Sequence, residues 1–248
     1  MMLPWLDPEL PTFPDTSQAF SEPNGLLAAG GALSPKWLLL AYQQGIFPWF
    51  NDGDPILWWT PSPRMVIYPH QFHISRSLRK SLRRENYQVT INKDFLAVIA
   101  ACAEPRNSDV NDSGTWISSR MKASYHSLHQ QGYAHSIEAW REGELIGGLY
   151  GVALGKVFFG ESMFSKQTSG SKIALTHLVE WLKQWQYRLI DCQIYNDHLS
   201  RLGAIEIDRP TFEQILNSCV DINIDSGYQE QWQPSDITLN KNHWSKVE

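Results

Sequence analysis

The chain has 248 residues, 42% of them hydrophobic, enough for one large domain or a main domain with a smaller companion, and this excludes disorder throughout. A formal net charge of −5 excludes nonspecific nucleic-acid affinity from the chain as a whole and leaves that task to a local basic patch. Three scattered cysteines and eight histidines fit neither a disulfide framework nor metal-ligand spacing, and no leader or spanning segment is legible, so a soluble cytoplasmic protein without metal or membrane partner is expected.

Residues 1–33 are rich in Pro and Gly and read as turns with short extended pieces. Ser34 suits an N-cap and Pro35 a first helical position, so a helix carrying Trp37, Leu38 and Tyr42 is predicted, closed by Gly45. The loop Gly45-Ile46-Phe47-Pro48-Trp49-Phe50 is aromatic and stiffened by proline, suited to an interdomain plug or to a stacking platform. Eleven tryptophans serve core packing first and base stacking second. Short strands near 58–59 and 65–68 flank Pro61-Ser62-Pro63, where a small N-terminal domain, 1–62, is expected to give way to a main domain, 63–248.

Ser75 caps a predicted helix whose Arg76, Arg79, Lys80, Arg83 and Arg84 recur at i, i+3, i+4, i+7 and i+8 on one face, with Leu78 and Leu82 on the other. A solvated charged face is the usual fate of such residues. This one has no acid before Glu85 and lacks compensating i,i+4 pairs, so it is expected to bind phosphates. A strand at 87–92, an apolar helix at 94–103 and a polar loop at 104–114 follow. A helix is predicted at 121–131, with Ser118 or Ser119 as cap and Gly132 as terminator.

Strands at 134–140, 145–153 and 157–161 read as a meander with tight turns. From 171 to 185, Ala174, Leu178, Trp181, Leu182 and Trp185 recur at helical spacing. A strand at 189–195, a short helix at 197–202 ended by Gly203 and a strand at 205–207 complete the order. Meander, helix and further strand imply an α/β fold of the α+β type, a mixed sheet with helices packed on it. The segment after about 220 shows no recognisable pattern.

Two acids interrupt apolar strands: Glu161 in Phe158-Phe159-Gly160-Glu161-Ser162-Met163-Phe164-Ser165 and Asp191 in Leu189-Ile190-Asp191-Cys192-Gln193-Ile194. A buried carboxylate is costly unless paired, so each caps a turn, pairs with an arginine, or serves chemistry. If the strands are sheet neighbours, Glu161, Asp191 and Gln193 converge on one cleft.

These blocks, with Asn196-Asp197-His198, Asp54-Pro55-Ile56-Leu57-Trp58-Trp59, Glu22-Pro23-Asn24-Gly25, Gly114-Thr115-Trp116-Ile117, Ala134-His135-Ser136-Ile137-Glu138 and Gly147-Gly148-Leu149-Tyr150, resemble the bacterial leucyl/phenylalanyl-tRNA–protein transferases. The likeness covers roughly residues 22–210. It implies transfer of leucine or phenylalanine, and less well methionine, from aminoacyl-tRNA to the α-amine of proteins beginning with Arg or Lys, marking them for degradation through the N-degron pathway. It also implies an acetyltransferase-like (GNAT) domain behind a small N-terminal domain, with no metal or diffusible cofactor; a monomer is expected. By resemblance Trp49 packs on the terminal adenosine and Trp116 and Tyr125 line the same cleft. Leu149, Phe158, Leu178 and Ile190 surround the transferred side chain, and Glu161, Asp191, Gln193 and Asn196 form the polar centre. The loop 104–112 and the segment after 220 depart from the family pattern.

Aminolysis of an ester needs a neutral amine held at about 3–3.5 Å, and an α-amine titrating near pH 7.7–8.0 needs no strong base. An amide is a very poor base, so Gln193 is assigned to orienting the amine and donating to the oxyanion. Asp191 is assigned to holding Gln193 or stabilising the ammonium, and Glu161 to the negative potential of the cleft, with the two acids exchangeable. Two rivals remain: an acetyl-CoA-dependent N-acetyltransferase, suggested by Gln167-Thr168-Ser169-Gly170-Ser171 before a helix, and a noncatalytic RNA-binding module.

Overall fold

Residues before and after the Pro61-Ser62-Pro63 punctuation build separate sheets. The computed structural model describes residues 2–84, 86–105, 117–220 and 230–246. The first sheet contains β1 (Trp5–Leu6), β2 (Leu26–Gly30), β3 (Phe47–Pro48) and β4 (Leu57–Trp59), in the order β1-β2-β4-β3, with α1 (Pro35–Gln43) between β2 and β3. Pro35 opens α1, and Gly45 at φ +71° turns the chain back beyond it.

The second sheet begins with β5 (Arg64–Ile67), followed by α2 (Arg76–Leu82), β6 (Gln88–Ile91), α3 (Phe95–Cys102) and α4 (Ser119–Gln130). Then come β7 (Ala134–Arg141), β8 (Glu144–Leu154), β9 (Val157–Ser165), α5 (Gly170–Gln184), β10 (Leu189–Gln193), α6 (Asp197–Ser200) and β11 (Ile205–Ile207). The described chain closes with α7 (Arg209–Cys219), β12 (Ser235–Asp236) and α8 (Lys241–Lys246). The strand order is β11-β5-β10-β9-β8-β7-β6-β12. Every neighbouring pair is antiparallel except β9 and β10, which run parallel and are joined through α5.

Each face of this sheet carries its own apolar cluster. On one face Phe159 and Tyr150 pack with Tyr42 of α1, Val98 of α3, Tyr125 of α4 and Phe212 of α7. On the other, Phe158 and Ile190 pack with Leu78 of α2, Leu178 and Leu182 of α5, and Trp232 and Trp244 beyond. The helix α5 starts hard against β8: a Cβ on Gly170 would stand 2.3 Å from the Ile146 carbonyl oxygen, so only glycine fits there.

Four features differ from the sequence expectation. The strand β9 runs to Ser165, beyond the expected end at 161. The helix α7 was not expected, although Asp208 caps it by accepting from the Thr211 amide and Pro210 lies in its first turn. The segment 230–246 adds β12 to the edge of β6 and buries Trp232 and Trp244. The helix α2 ends at Leu82, so Arg83 and Arg84 stand at and beyond its C-cap instead of continuing the stripe. No helix among the described residues is long and apolar enough to cross a membrane.

Candidate active site

The strands β9 and β10 pair only through Val157, Phe158 and Phe159 against Leu189, Ile190 and Asp191. Beyond that point both bulge and part. On β9 the register to β8 steps from Gly151↔Gly160 to Tyr150↔Ser162, leaving Glu161 as the extra residue. On β10 the register to β5 steps from Asp191↔Val66 to Gln193↔Met65, leaving Cys192 extra. The β9 bulge reverses the alternation: Phe158 and Phe159 face the α5 and α4 sides respectively, and past the bulge Met163 and Phe164 do so. A cleft of about 640 Å³ opens where the strands diverge.

Glu161 is half-buried beneath two tyrosines. Its Oε1 accepts from the Tyr42 hydroxyl at 2.7 Å and its Oε2 from the Tyr125 hydroxyl at 2.6 Å, and the two hydroxyl oxygens lie 2.5 Å apart. With the carboxylate ionised, both hydroxyl protons point at it and the Tyr42–Tyr125 contact has none. A third proton, on Glu161, satisfies all three contacts in a ring. Burial pushes the Glu161 carboxyl up to about 7, with Asp191 adding to the rise, while the tyrosine hydrogen bonds and Arg64 hold it down. Burial also raises both tyrosines well above the usual range, so they remain donors.

Asp191 has a different partner. Arg64 Nε and Nη2 donate to its Oδ1 and Oδ2 at 2.8 and 2.7 Å, a bidentate pair whose side chains are 1% and 0% exposed. The guanidinium lies 4.8 Å from the Phe47 ring and 4.7 Å from that of Phe212. Asp191 Oδ1 also accepts from the Gln193 backbone N–H at 3.0 Å, and the Ile194 N–H donates to the Cys192 carbonyl at 2.9 Å. Together these close a three-residue turn in which Gln193 takes φ +60°. Asp191 thus fixes the backbone of Gln193, and strain at that residue is held by a buried ion pair. Burial and Asp191 push the Cys192 thiol up, so it is a poor nucleophile.

Glu161, Asp191, Gln193, Leu149, Phe158 and Ile190 all line the cleft. Leu178 is fully buried behind the wall, and Leu175, about one turn earlier on α5, lines it instead. Tyr125 reaches the cleft through Glu161. Asn196 caps α6, accepting from the His198 and Leu199 amides at 2.9 and 3.2 Å. Trp49 is 41% exposed at the mouth, and its carbonyl accepts from Trp59 Nε1 at 2.7 Å. Trp116 lies outside the described residues. On α2 and beyond, Arg76, Lys80 and Arg84 are exposed and Arg79 is half-buried, while Arg83 Nε and Nη2 donate to the Trp244 carbonyl at 3.3 and 3.2 Å.

Sequence reasoning missed Arg64 and Tyr42. A cation opening the apolar run Arg64-Met65-Val66-Ile67 is as costly as an acid in one, and that signal was available. Tyr42 carried none, being one apolar helix residue among several.

A family profile described as leucyl/phenylalanyl-tRNA protein transferase matches residues 66–217, and one for that protein's N-terminal domain matches 31–62. The chain is 53% identical over 247 residues to the leucyl/phenylalanyl-tRNA–protein transferase of Cellvibrio japonicus, covering 100% of this chain and 98% of the relative. It is 54% identical over 220 residues to that of Nitrosospira multiformis, covering 89% and 93%. Among solved structures, a functionally unknown conserved protein from Staphylococcus epidermidis aligns with a TM-score of 0.40 and 13% identity over 74% of this chain and 68% of that one, a likeness on which nothing further rests.

Proposed function

The chain belongs to the leucyl/phenylalanyl-tRNA–protein transferase family, and we infer that it is an aminoacyltransferase moving leucine or phenylalanine from aminoacyl-tRNA to proteins. The observation that carries the mechanism is the strained Gln193 turn, clamped by the Arg64–Asp191 pair, facing Glu161 across one cleft. The acceptors are proteins beginning with Arg or Lys, marked in this way for N-degron degradation in the cytoplasm; methionine is a poorer donor, and the enzyme acts as a monomer without a cofactor. The antiparallel meander leading to a splayed parallel pair supports an acetyltransferase-like (GNAT) domain over 63–248, and the separate first sheet supports a small domain over 1–62.

In the reaction the neutral α-amine attacks the ester carbonyl carbon, a C–N bond forms, the C–O bond to the ribose breaks, and the amine's proton passes to the ribose oxygen. Gln193 orients the attacking N–H through its carbonyl and donates from its amide nitrogen to the oxyanion. Asp191 positions Gln193. Glu161 faces the cation of the acceptor, whose approach favours its ionised form. Leu149, Phe158 and Ile190 receive the transferred side chain, Trp49 stacks on the terminal adenosine, and Arg76, Arg79, Lys80 and Arg84 contact tRNA phosphates. Arg83 contributes less, because its Nε and Nη2 already serve the Trp244 carbonyl.

The acetyltransferase alternative is weakened by its own loop. Arg141 Nη1 donates to the Gln167 side chain at 2.5 Å, and Gly170 answers to the Ile146 carbonyl, so packing accounts for both residues. The test is transfer of labelled leucine from charged tRNA to a peptide beginning with Arg, beside acetyl-CoA as donor. Leucine should transfer, and Gln193→Glu should slow it by up to roughly 10²–10³-fold despite being the better base. Peptide labelled only by acetyl-CoA would sink this reading; a faster Gln193→Glu enzyme would sink the mechanism.

A further inference from the structure

The apolar wall of the cleft is backed by a part of the chain distant in sequence. Phe158 lines the cleft and is 1% exposed. Its ring lies over Gly151, where an added Cβ would stand 2.7 Å from ring atoms, so the sheet beneath allows no retreat. The indole of Trp232 stacks on Phe158 with centroids 5.6 Å apart and planes at 21°. Trp232 is itself fixed: it stacks on His135 at 4.2 Å and 12°, and its Nε1 donates to the Tyr187 hydroxyl at 2.8 Å. Its carbonyl accepts from Asn92 Nδ2 at 2.6 Å. Beyond it, β12 pairs with β6, and Trp181 Nε1 donates to the Ile237 carbonyl at 3.0 Å.

We infer that Trp232 is a positioning residue that sets the depth of the side-chain pocket by holding Phe158 in place, and so takes part in the choice between leucine and phenylalanine. The inference rests on the reading of this pocket as the site of the transferred side chain. Interiors are close-packed, so removing matter behind a pocket wall lets the wall recede and the pocket deepen. Burial pushes the His135 imidazole down to about 3, so the stack is uncharged at neutral pH and its packing does not vary there.

The experiment compares kcat/KM for leucyl- and phenylalanyl-tRNA in Trp232→Phe, Trp232→Leu, Trp232→Ala and Phe158→Leu, with folding checked by circular dichroism. One methylene in an apolar pocket discriminates by about 10–200-fold; a receding wall should raise the phenylalanine-to-leucine ratio by about 3-fold in Trp232→Leu and about 10-fold in Trp232→Ala. KM for the acceptor peptide should not move. Trp232→Phe keeps a stacked ring and gives a smaller shift in the same direction, which carries the test if Trp232→Ala does not fold. An altered ratio in Phe158→Leu, with none in any folded Trp232 variant, overturns the inference while leaving the pocket reading intact. An unaltered ratio in Phe158→Leu overturns both. Equal loss of rate with both donors in the Trp232 variants reduces Trp232 to a structural residue and also overturns the inference.

Discussion

Glu161 and Asp191 are both carboxylates at bulged ends of adjacent strands, yet their surroundings give them opposite electrostatics. Asp191 meets a guanidinium in bidentate geometry, and the pair presents no net charge. Glu161 meets two neutral hydroxyls, which satisfy its lone pairs without compensating its charge, and it titrates near 7. The lesson is that burial alone does not decide what an acid does; the charge of its hydrogen-bond donors does. One acid becomes part of the frame that sets Gln193, and the other keeps a proton equilibrium available at working pH.

The largest expected effect breaks the frame. Arg64→Met leaves Asp191 buried without its partner and should cost about 3–5 kcal/mol in denaturant unfolding. Adding Asp191→Leu should recover most of that stability but not transfer activity. A loss below about 1 kcal/mol in the single variant would show that the ion pair does not hold the Gln193 turn.

Next comes the pH dependence of Glu161. Its native value of about 7 lies above the ordinary 4.5, so the folded protein retains a proton that the unfolded chain has already released. Stability therefore falls as pH rises from about 4.5 to about 7 and is then level, a loss of roughly 3 kcal/mol from this group. Glu161→Gln should remove that slope when unfolding is compared at pH 5 and pH 8. An unchanged slope would place the titration elsewhere.

The tyrosines sharpen the same point. Tyr42→Phe deletes one hydrogen bond that holds the Glu161 carboxyl down, and its pKa should rise further, by about one unit. Carbon NMR of the labelled carboxyl reads this directly; a downward shift would mean that the hydroxyl favours the protonated form.

The smallest effect separates strain from chemistry at Gln193. Glycine accepts φ +60° without steric cost, so Gln193→Gly should be neutral or more stable by at most about 1 kcal/mol, while transfer collapses. A clear loss of stability would mean that the Gln193 side chain, and not the strained backbone, matters to folding.

Much of the frame was legible in the sequence. The turns around Gly143 and Gly155 marked the meander, and the spacing of Ala174, Leu178 and Leu182 gave α5, because helical periodicity reports a buried face directly. Asp208 and Pro210 signalled α7 equally well and were passed over. The acids Glu161 and Asp191 and the amide Gln193 stood out as polar groups in apolar strands, and family resemblance added the role of Trp49.

Partners distant in sequence were decided by the tertiary structure. Arg64 and Asp191 are 127 positions apart, and Tyr42 and Glu161 are 119 apart. Nothing in either local pattern shows which donor reaches which acid. The bulges are likewise relations between strands, since an extra residue exists only by comparison with the neighbour's register. The burial of Trp232 behind Phe158 depends on a segment whose own pattern is too short to announce a fold. The sequence by itself set the elements and the residues able to do chemistry; tertiary packing decided which acid is paired and which titrates, because desolvation and donor charge are properties of the assembled site.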